Sequence, residues 1–301
     1  MKRRSFFWYS TLFLGSCSSS FRSSTEGAEN TQGKSVDLPK TLHFTVTDAE
    51  GIEVLKKDYE PFREALEAVL ATKVEFFPVD SFVAATPAML TGKIDLAWAG
   101  PSEYLILQAR AKAIPVVSLK RTDFHTVIAV RGDSGIKSLA DLKGKTVDMY
   151  KIGSTSSHIG GTKILIDAGL EPQGYFKTVM SGSYSLQSLK NGEVDAVVRA
   201  AHRYKTVIQN ENLSEKDYPI IATSSLLPGD IFVASSQLGE TVVAAMRSRM
   251  LENQERILQG IFASPGLASK FKDSSFIPVN IADYEAIREV YRAIGQENLI
   301  Q

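Results

Sequence analysis

Short apolar strands alternating with amphipathic helices from Leu42 onward predict an α/β protein of two lobes, each a mostly parallel sheet flanked by helices, joined by a two-strand hinge. Two further observations divide the chain into lobes. A junction that stops a helix and opens a strand occurs twice, at Leu90-Thr91-Gly92-Lys93-Ile94-Asp95-Leu96-Ala97 and again at Leu189-Lys190-Asn191-Gly192-Glu193-Val194-Asp195-Ala196-Val197. Two apolar strands flanked by turn residues, Thr126 to Val130 and Ile231 to Ala234, stand where a chain would cross between lobes.

The elements follow in order. Leu42 to Thr47 alternates as a strand and runs into the turn-forming Asp48-Ala49-Glu50-Gly51. Ile52, Leu55, Tyr59, Phe62, Leu66 and Val69 then recur at helical spacing. Proline lacks an N–H and clashes with the preceding turn, so this helix is expected to start near Asp58, with Pro61 in its first turn. Val74 to Phe77 reads as a strand, Ser81 to Leu90 as a helix and Ile94 to Ala99 as a third strand. In both copies of the repeated junction, glycine suits the helix stop and the β-branched residue suits the strand start, although any βαβ protein contains such junctions. With Thr126 to Val130 and Ile231 to Ala234 as the crossings, lobe 1 comprises residues 41–131 and 231–301, and lobe 2 residues 132–230.

The N-terminal segment is a different kind of sequence. Lys2, Arg3 and Arg4 precede an apolar run from Phe6 to Leu14, far shorter than the roughly 20 residues that span a bilayer. Small residues Gly15 and Ser16 then lead to Cys17, the only cysteine, and Leu14-Gly15-Ser16-Cys17 resembles a bacterial lipoprotein box. Residues 1–17 are therefore expected to be an export signal, with Cys17 lipidated; Arg3-Arg4-Ser5-Phe6-Phe7 leaves the general secretory and twin-arginine routes both open. Residues 18–40 are polar and rich in Ser, Thr and Gly, a composition that cannot bury enough surface to fold and suits a tether. The expected location is extracytoplasmic, on the membrane through the lipid alone.

Charge restricts the partners. The 34 Lys and Arg balance 34 Asp and Glu, so there is no basic surplus for nucleic acid or an anionic bilayer, and any anion site must be local. No nucleophile elbow, P-loop, dinucleotide fingerprint or zincin motif occurs, and four scattered histidines with one cysteine give no metal-ligand spacing. No cofactor or metal is expected, and no enzyme activity.

The chain does contain three helix starts rich in hydroxyls and glycine, each placed after a strand. Gly153-Ser154-Thr155-Ser156-Ser157-His158 follows a strand near Thr146 to Tyr150 and precedes a helix over Ile159 to Leu170. Gly100-Pro101-Ser102-Glu103-Tyr104 follows Ala99, and Ser181-Gly182-Ser183-Tyr184 opens a helix running to Lys190. Each one alone is an ordinary N-cap. Together, at the ends of parallel strands where α/β sheets bind ligands, they offer backbone N–H groups and helix dipoles to a small tetrahedral anion.

At these residues the chain resembles the phosphonate, phosphite and phosphate binding proteins of ABC importers, which have the type II periplasmic-binding fold. The resemblance covers about Leu42 to Asn280. It is carried by Lys93-Ile94-Asp95-Leu96-Ala97-Trp98-Ala99-Gly100-Pro101, the run from Asp133 to Lys145, Ser154-Thr155-Ser156 and Leu227-Pro228-Gly229-Asp230. It implies that Ser154, Thr155 and Ser156 grip the phosphorus oxygens and that Asp230 lies beside the ligand. The chain departs from the family at three positions: Phe82 and Phe124 stand where tyrosines often bind ligand, and Ser183 where histidine is usual. Arg199 and His202 replace neutral or acidic residues of aminoalkyl-phosphonate binders; an Arg199 facing the cleft would disfavour an ammonium-bearing ligand.

The expected ligand set is Ser154, Thr155, Ser156, Ser157, Gly100, Pro101, Ser102, Phe82, Phe124, Ser183, Tyr184, Arg199 and Asp230. The expected function is a monomeric extracytoplasmic binding protein that hands a small phosphorus oxyanion to an ABC permease and its ATPase. Three other readings are open. They are a receptor for a carboxylate or sulfur oxyanion, a sensor feeding a signalling partner, and an exported hydrolase using His158 as base.

Overall fold

The computed structural model describes residues 36–48, 51–82, 84–171 and 174–301, and Val36–Gln301 forms one compact body. Cys17, the export signal and most of the expected tether lie outside the described residues. The strands are Thr41–Val46 (β1), Lys73–Phe76 (β2), Leu96–Ala99 (β3), Ile114–Lys120 (β4), Thr126–Val130 (β5), Thr146–Asp148 (β6), Lys177–Val179 (β7), Ala196–Ala200 (β8), Ile220–Thr223 (β9), Asp230–Ala234 (β10) and Ser275–Ile277 (β11). The α-helices are Ile52–Leu70 (α1), Ala85–Leu90 (α2), Pro101–Ala111 (α3), Gly160–Asp167 (α4), Ser185–Lys190 (α5), Ala201–Asn210 (α6), Glu240–Glu252 (α7), Gln254–Phe262 (α8), Pro265–Lys270 (α9) and Glu285–Ala293 (α10).

Two sheets result, a six-stranded one in the order β11-β4-β10-β3-β1-β2 and a five-stranded one in the order β7-β6-β8-β5-β9. Both are mixed rather than mostly parallel. In the first sheet β10 is antiparallel to β3 and β4, and in the second β5 is antiparallel to β8 and β9. The reason is topological. β5 and β10 carry the chain into a lobe from its cleft edge, so they run against β1 and β3, or β6 and β8, which end at that edge.

The same strands correct the expected lobe boundary. Thr126–Val130, expected as a crossing within lobe 1, pairs with β8 and β9, and all five of its residues are buried in the second sheet. The chain therefore changes sheets over residues 121–125 and returns over 224–229, the segments that join β4 to β5 and β9 to β10. Turn residues after a strand mark its end, but they do not say which sheet has taken it.

Helix α1 is a second correction, because it starts at Ile52 and carries Pro61 in its interior. An interior proline costs about 3 kcal/mol or more. Burial of Leu55, Tyr59, Phe62, Leu66, Val69 and Leu70 along one face outweighs that, at about 1.5–3 kcal/mol for each large side chain removed from water. The packed face meets α8 at Gly260, where an added Cβ would fall 2.7 Å from the Pro61 carbonyl oxygen. Trp98 centres the core beneath, with Tyr59, Phe62, Phe232 and Phe271 at ring-centroid distances of 5.7, 5.0, 5.0 and 4.9 Å. This aromatic floor lies under the edge where β1, β3 and β4 end.

Candidate functional site

Most segments at the cleft lie at or just past the end of a strand. Thr47 and Asp48 follow β1, Gly100 and Glu103 follow β3, Arg121 and Phe124 follow β4, and Tyr150 to Ser157 follow β6. Arg199 and Ala200 close β8, with His202 and Arg203 just beyond it. Asp230 reaches the same edge from the opposite direction, as the first residue of antiparallel β10. These residues, with Tyr59, Phe82, Trp98 and Lys270, enclose a cavity of about 60 Å³.

One wall is a run of hydroxyls. Thr155–Ile159 forms a π-helical turn that passes into α4, a geometry often found at functional sites. Ser154, Thr155 and Ser157 are buried and Ser156 half-buried. Two glycines allow this turn to sit so low. A Cβ on Gly160 would fall 2.0 Å from Thr126 Oγ1, and one on Gly161 2.6 Å from Val198 Cγ1, so α4 begins directly on β5 and β8. Thr126 Oγ1 donates to the Ser156 carbonyl at 2.7 Å and anchors the turn. His158 accepts the Gly153 N–H on Nδ1 at 3.2 Å, and burial pulls its pKa down. It stabilises the loop and is not part of the cavity wall.

Gly100, Ser102 and Glu103 meet this turn from the other lobe. The Ser102 N–H donates to Thr155 Oγ1 at 3.1 Å, and the Ser102 hydroxyl donates to the Gly153 carbonyl at 2.5 Å. Glu103 Oε2 lies 2.8 Å from Ser102 Oγ and 3.3 Å from Thr155 Oγ1. Burial raises the Glu103 pKa to about 7; hydrogen bonds from its own backbone and Ser102 oppose the rise, and Asp48 and Asp230 add to it. The start of α3 thus serves mainly as a bridge between lobes, with Ser102 and Glu103 joined to Gly153 and Thr155.

The opposite wall is charged. Arg121, 3% exposed, stacks on Phe124 with its guanidinium carbon 3.8 Å from the ring centroid, and its Nη1 lies 3.9 Å from Asp230 Oδ2. Burial lowers the Arg121 pKa, and Asp230 and Asp48 counter that. Arg121 Nη2 donates to His202 Nδ1 at 3.2 Å. An arginine cannot accept, so the remaining proton of a neutral His202 is on Nε2. Burial, then the charges of Arg121, Lys270 and Arg203, drive the His202 pKa down to about 2, and the ring is uncharged at neutral pH. Lys270 and Arg203 hold Asp48 at 2.8 and 3.6 Å, the second contact spanning the lobes. Arg199 lies over Tyr150, 4.5 Å from the ring centroid, and donates to Ser185 Oγ at 2.9 Å. Tyr150 holds a left-handed backbone (φ 67°), which a donation from its N–H to Asp148 Oδ1 at 2.8 Å helps maintain.

Of the expected ligand residues, Ser154, Thr155, Ser156, Ser157, Gly100, Phe82, Phe124, Arg199 and Asp230 are brought together on the wall. Pro101 and Ser102 lie behind it, buried, with Ser102 engaged by Thr155. Ser183 and Tyr184 are not on the wall. Their segment is a 3-10 turn, and Tyr184 is 72% exposed. Two of the three expected helix starts therefore converge. Thr47, Asp48, Tyr59, Glu103, Arg121, Tyr150, Arg203 and Lys270 were not among the expected ligand residues; Glu103 sits within the Gly100–Tyr104 helix start, and Thr47, Asp48, Arg121 and Tyr150 follow ends of strands. Among the described residues no group of three or more His, Cys, Asp or Glu is placed to hold a metal, and no helix is long and apolar enough to cross a membrane.

The chain is similar to known proteins over most of its length. The family model described as "ABC transporter, phosphonate, periplasmic substrate-binding protein" matches residues 44–284. The "Phosphate-import protein PhnD" of Mycolicibacterium smegmatis is 25% identical over 93% of this chain and 94% of its own. The "Phosphonates-binding periplasmic protein" of Escherichia coli is 25% identical over 67% of this chain and 63% of its own. The structure of PhnD1 from Prochlorococcus marinus in complex with methylphosphonate superposes with a TM-score of 0.68 at 20% identity, covering 85% of this chain and 99% of that one, and shares the type II periplasmic-binding fold. The chain belongs to the periplasmic phosphonate substrate-binding proteins of ABC transporters.

Proposed function

We propose that the cavity holds a small phosphorus oxyanion, namely phosphate, phosphite or a simple phosphonate, for delivery to an ABC permease and its ATPase. The observation that carries this reading is the cavity itself: about 60 Å³, lined by hydroxyls from Ser154 to Ser157 and by four cations, of which Arg121 is buried. Arg121, Arg199, Arg203 and Lys270 face Asp48, Asp230 and a Glu103 whose pKa is raised to about 7, a balance that favours an anion and disfavours an ammonium group. Hydroxyls and helix-start N–H groups replace the ligand's hydration shell, and the low-dielectric surroundings strengthen each contact. The protein binds without transforming its ligand. The export segment and Cys17 support a lipid-anchored, extracytoplasmic form that works as a monomer, with residues 18–40 as tether.

Isothermal titration calorimetry of phosphate, phosphite, methylphosphonate, methanesulfonate and acetate tests this reading. One-to-one binding of at least one phosphorus ligand, tighter than the sulfonate and the carboxylate, is expected. Heat only with methanesulfonate or acetate would reassign the ligand.

A further inference from the structure

Buried polar groups without partners are few in folded proteins, and a cluster of them beside a cavity describes the molecule that would complete them. Among the described residues, ten buried side-chain polar atoms lack a hydrogen-bond partner. Five belong to this wall: Thr47 Oγ1, Arg121 Nε and Nη1, His202 Nε2 and Asp230 Oδ2. Three of the five are N–H donors, and all three lie on the two side chains joined by the Arg121–His202 bond.

We propose, building on the oxyanion reading above, that Arg121 is the principal charge-pairing residue for the ligand, its unpartnered Nε–H and Nη1–H acting as two separate donors to ligand oxygens, with His202 Nε2 as a third donor. A guanidinium stays charged at any working pH and carries five N–H donors in one plane, so it can bond an oxyanion while Nη2 remains on His202. Phe124 and Phe271, whose ring centroids lie 3.8 and 5.1 Å from the guanidinium carbon, hold the guanidinium plane in place. This explains the departure at Phe124: a ring that serves as a platform for a cation needs no hydroxyl, and the hydrogen bonds absent at Phe82 and Phe124 are supplied by arginine. Asp230 fits the same arrangement. Its Oδ2 holds Arg121 at ion-pair distance and is an acceptor for a ligand hydroxyl, whereas without Arg121 it would be available to an ammonium group.

The test titrates wild-type protein, Arg121→Lys and the neutral pair Arg121→Met with Asp230→Asn against phosphate, phosphite, methylphosphonate and 2-aminoethylphosphonate. Circular dichroism establishes that each variant is folded; the neutral pair removes both charges together, so no buried ion is left alone. Arg121→Lys, which keeps the charge but loses the planar set of N–H donors, is expected to weaken the best phosphorus ligand by about tenfold or more, the equivalent of one charge-assisted hydrogen bond. The neutral pair is expected to weaken it further and to narrow the preference for methylphosphonate over 2-aminoethylphosphonate. Wild-type binding with Arg121→Lys within threefold of it (about 0.6 kcal/mol) would overturn the role of Arg121 alone. A wild-type protein that binds none of the four probes would overturn the oxyanion reading, and this assignment with it.

Discussion

The two walls of the cavity are built differently. The hydroxyl wall is one contiguous stretch, Ser154 to Ser157, positioned by a π-helical turn and by two glycines that let α4 rest on the sheet. The charged wall gathers Asp48, Arg121, Arg199, His202, Arg203, Asp230 and Lys270 from distant parts of the chain, each brought to the edge by the strand or helix it terminates or begins. Hydroxyls and N–H groups adapt to many tetrahedral anions, whereas fixed charges decide which net charge is accepted. Class recognition and discrimination are thus assigned to opposite sides of one cavity.

Breaking the charged wall has the largest expected effect. Asp230→Ala leaves the buried Arg121 guanidinium without its counterion and should destabilise the protein by about 3–5 kcal/mol, read by chemical denaturation. A loss below about 1 kcal/mol would mean that Arg121 is neutralised elsewhere. Weakening the hydroxyl wall by Ser154→Ala with Ser156→Ala should cost about 3 kcal/mol of binding free energy, two hydrogen bonds to a charged group, with little loss of fold because Thr155 still holds Ser102. Calorimetry reads this directly, and an unchanged affinity would reduce the hydroxyls to helix caps.

Gly160→Ala tests what positions that wall. Its methyl would meet Thr126 Oγ1, and the overpacking should cost about 1–3 kcal/mol of stability and weaken binding as well. The smallest effect concerns the bridge between lobes. The Glu103 pKa is raised from 4.5 to about 7 in the folded protein, so the native state holds this proton more tightly than the unfolded chain does. Its contribution is complete below about pH 4.5 and is lost as pH rises through about 7. Melting curves of wild type and Glu103→Gln across that window should diverge, the wild type losing stability relative to the variant as pH increases. Parallel curves would show that Glu103 titrates normally.

Legibility in the sequence follows the same division. Strand and helix alternation and the helix starts at Gly100 and Ser154 were readable because each depends on neighbours in the chain, whereas Asp230 came from the family resemblance alone. Pro61 misled because a local rule was outweighed by the packing of a whole helical face. Thr126–Val130 misled because sheet membership is decided by pairing with β8 and β9, at residues far along the chain. Arg121 and Lys270 left no local signature: an isolated basic residue after a strand or at a helix end reads as solvated surface, and only the fold turns it inward. Ser183 and Tyr184 show the reverse, a helix start with the right composition that the fold leaves off the cavity wall.

If the two walls work together, one small anion touches both at once, and a crystal structure with methylphosphonate would reveal it. Phosphorus oxygens are expected within hydrogen-bond distance of hydroxyls or N–H groups in Ser154 to Ser157 and of the Arg121 guanidinium. A ligand seated against only one lobe, or outside the space between Gly100, Arg121 and Ser154, would contradict this expectation.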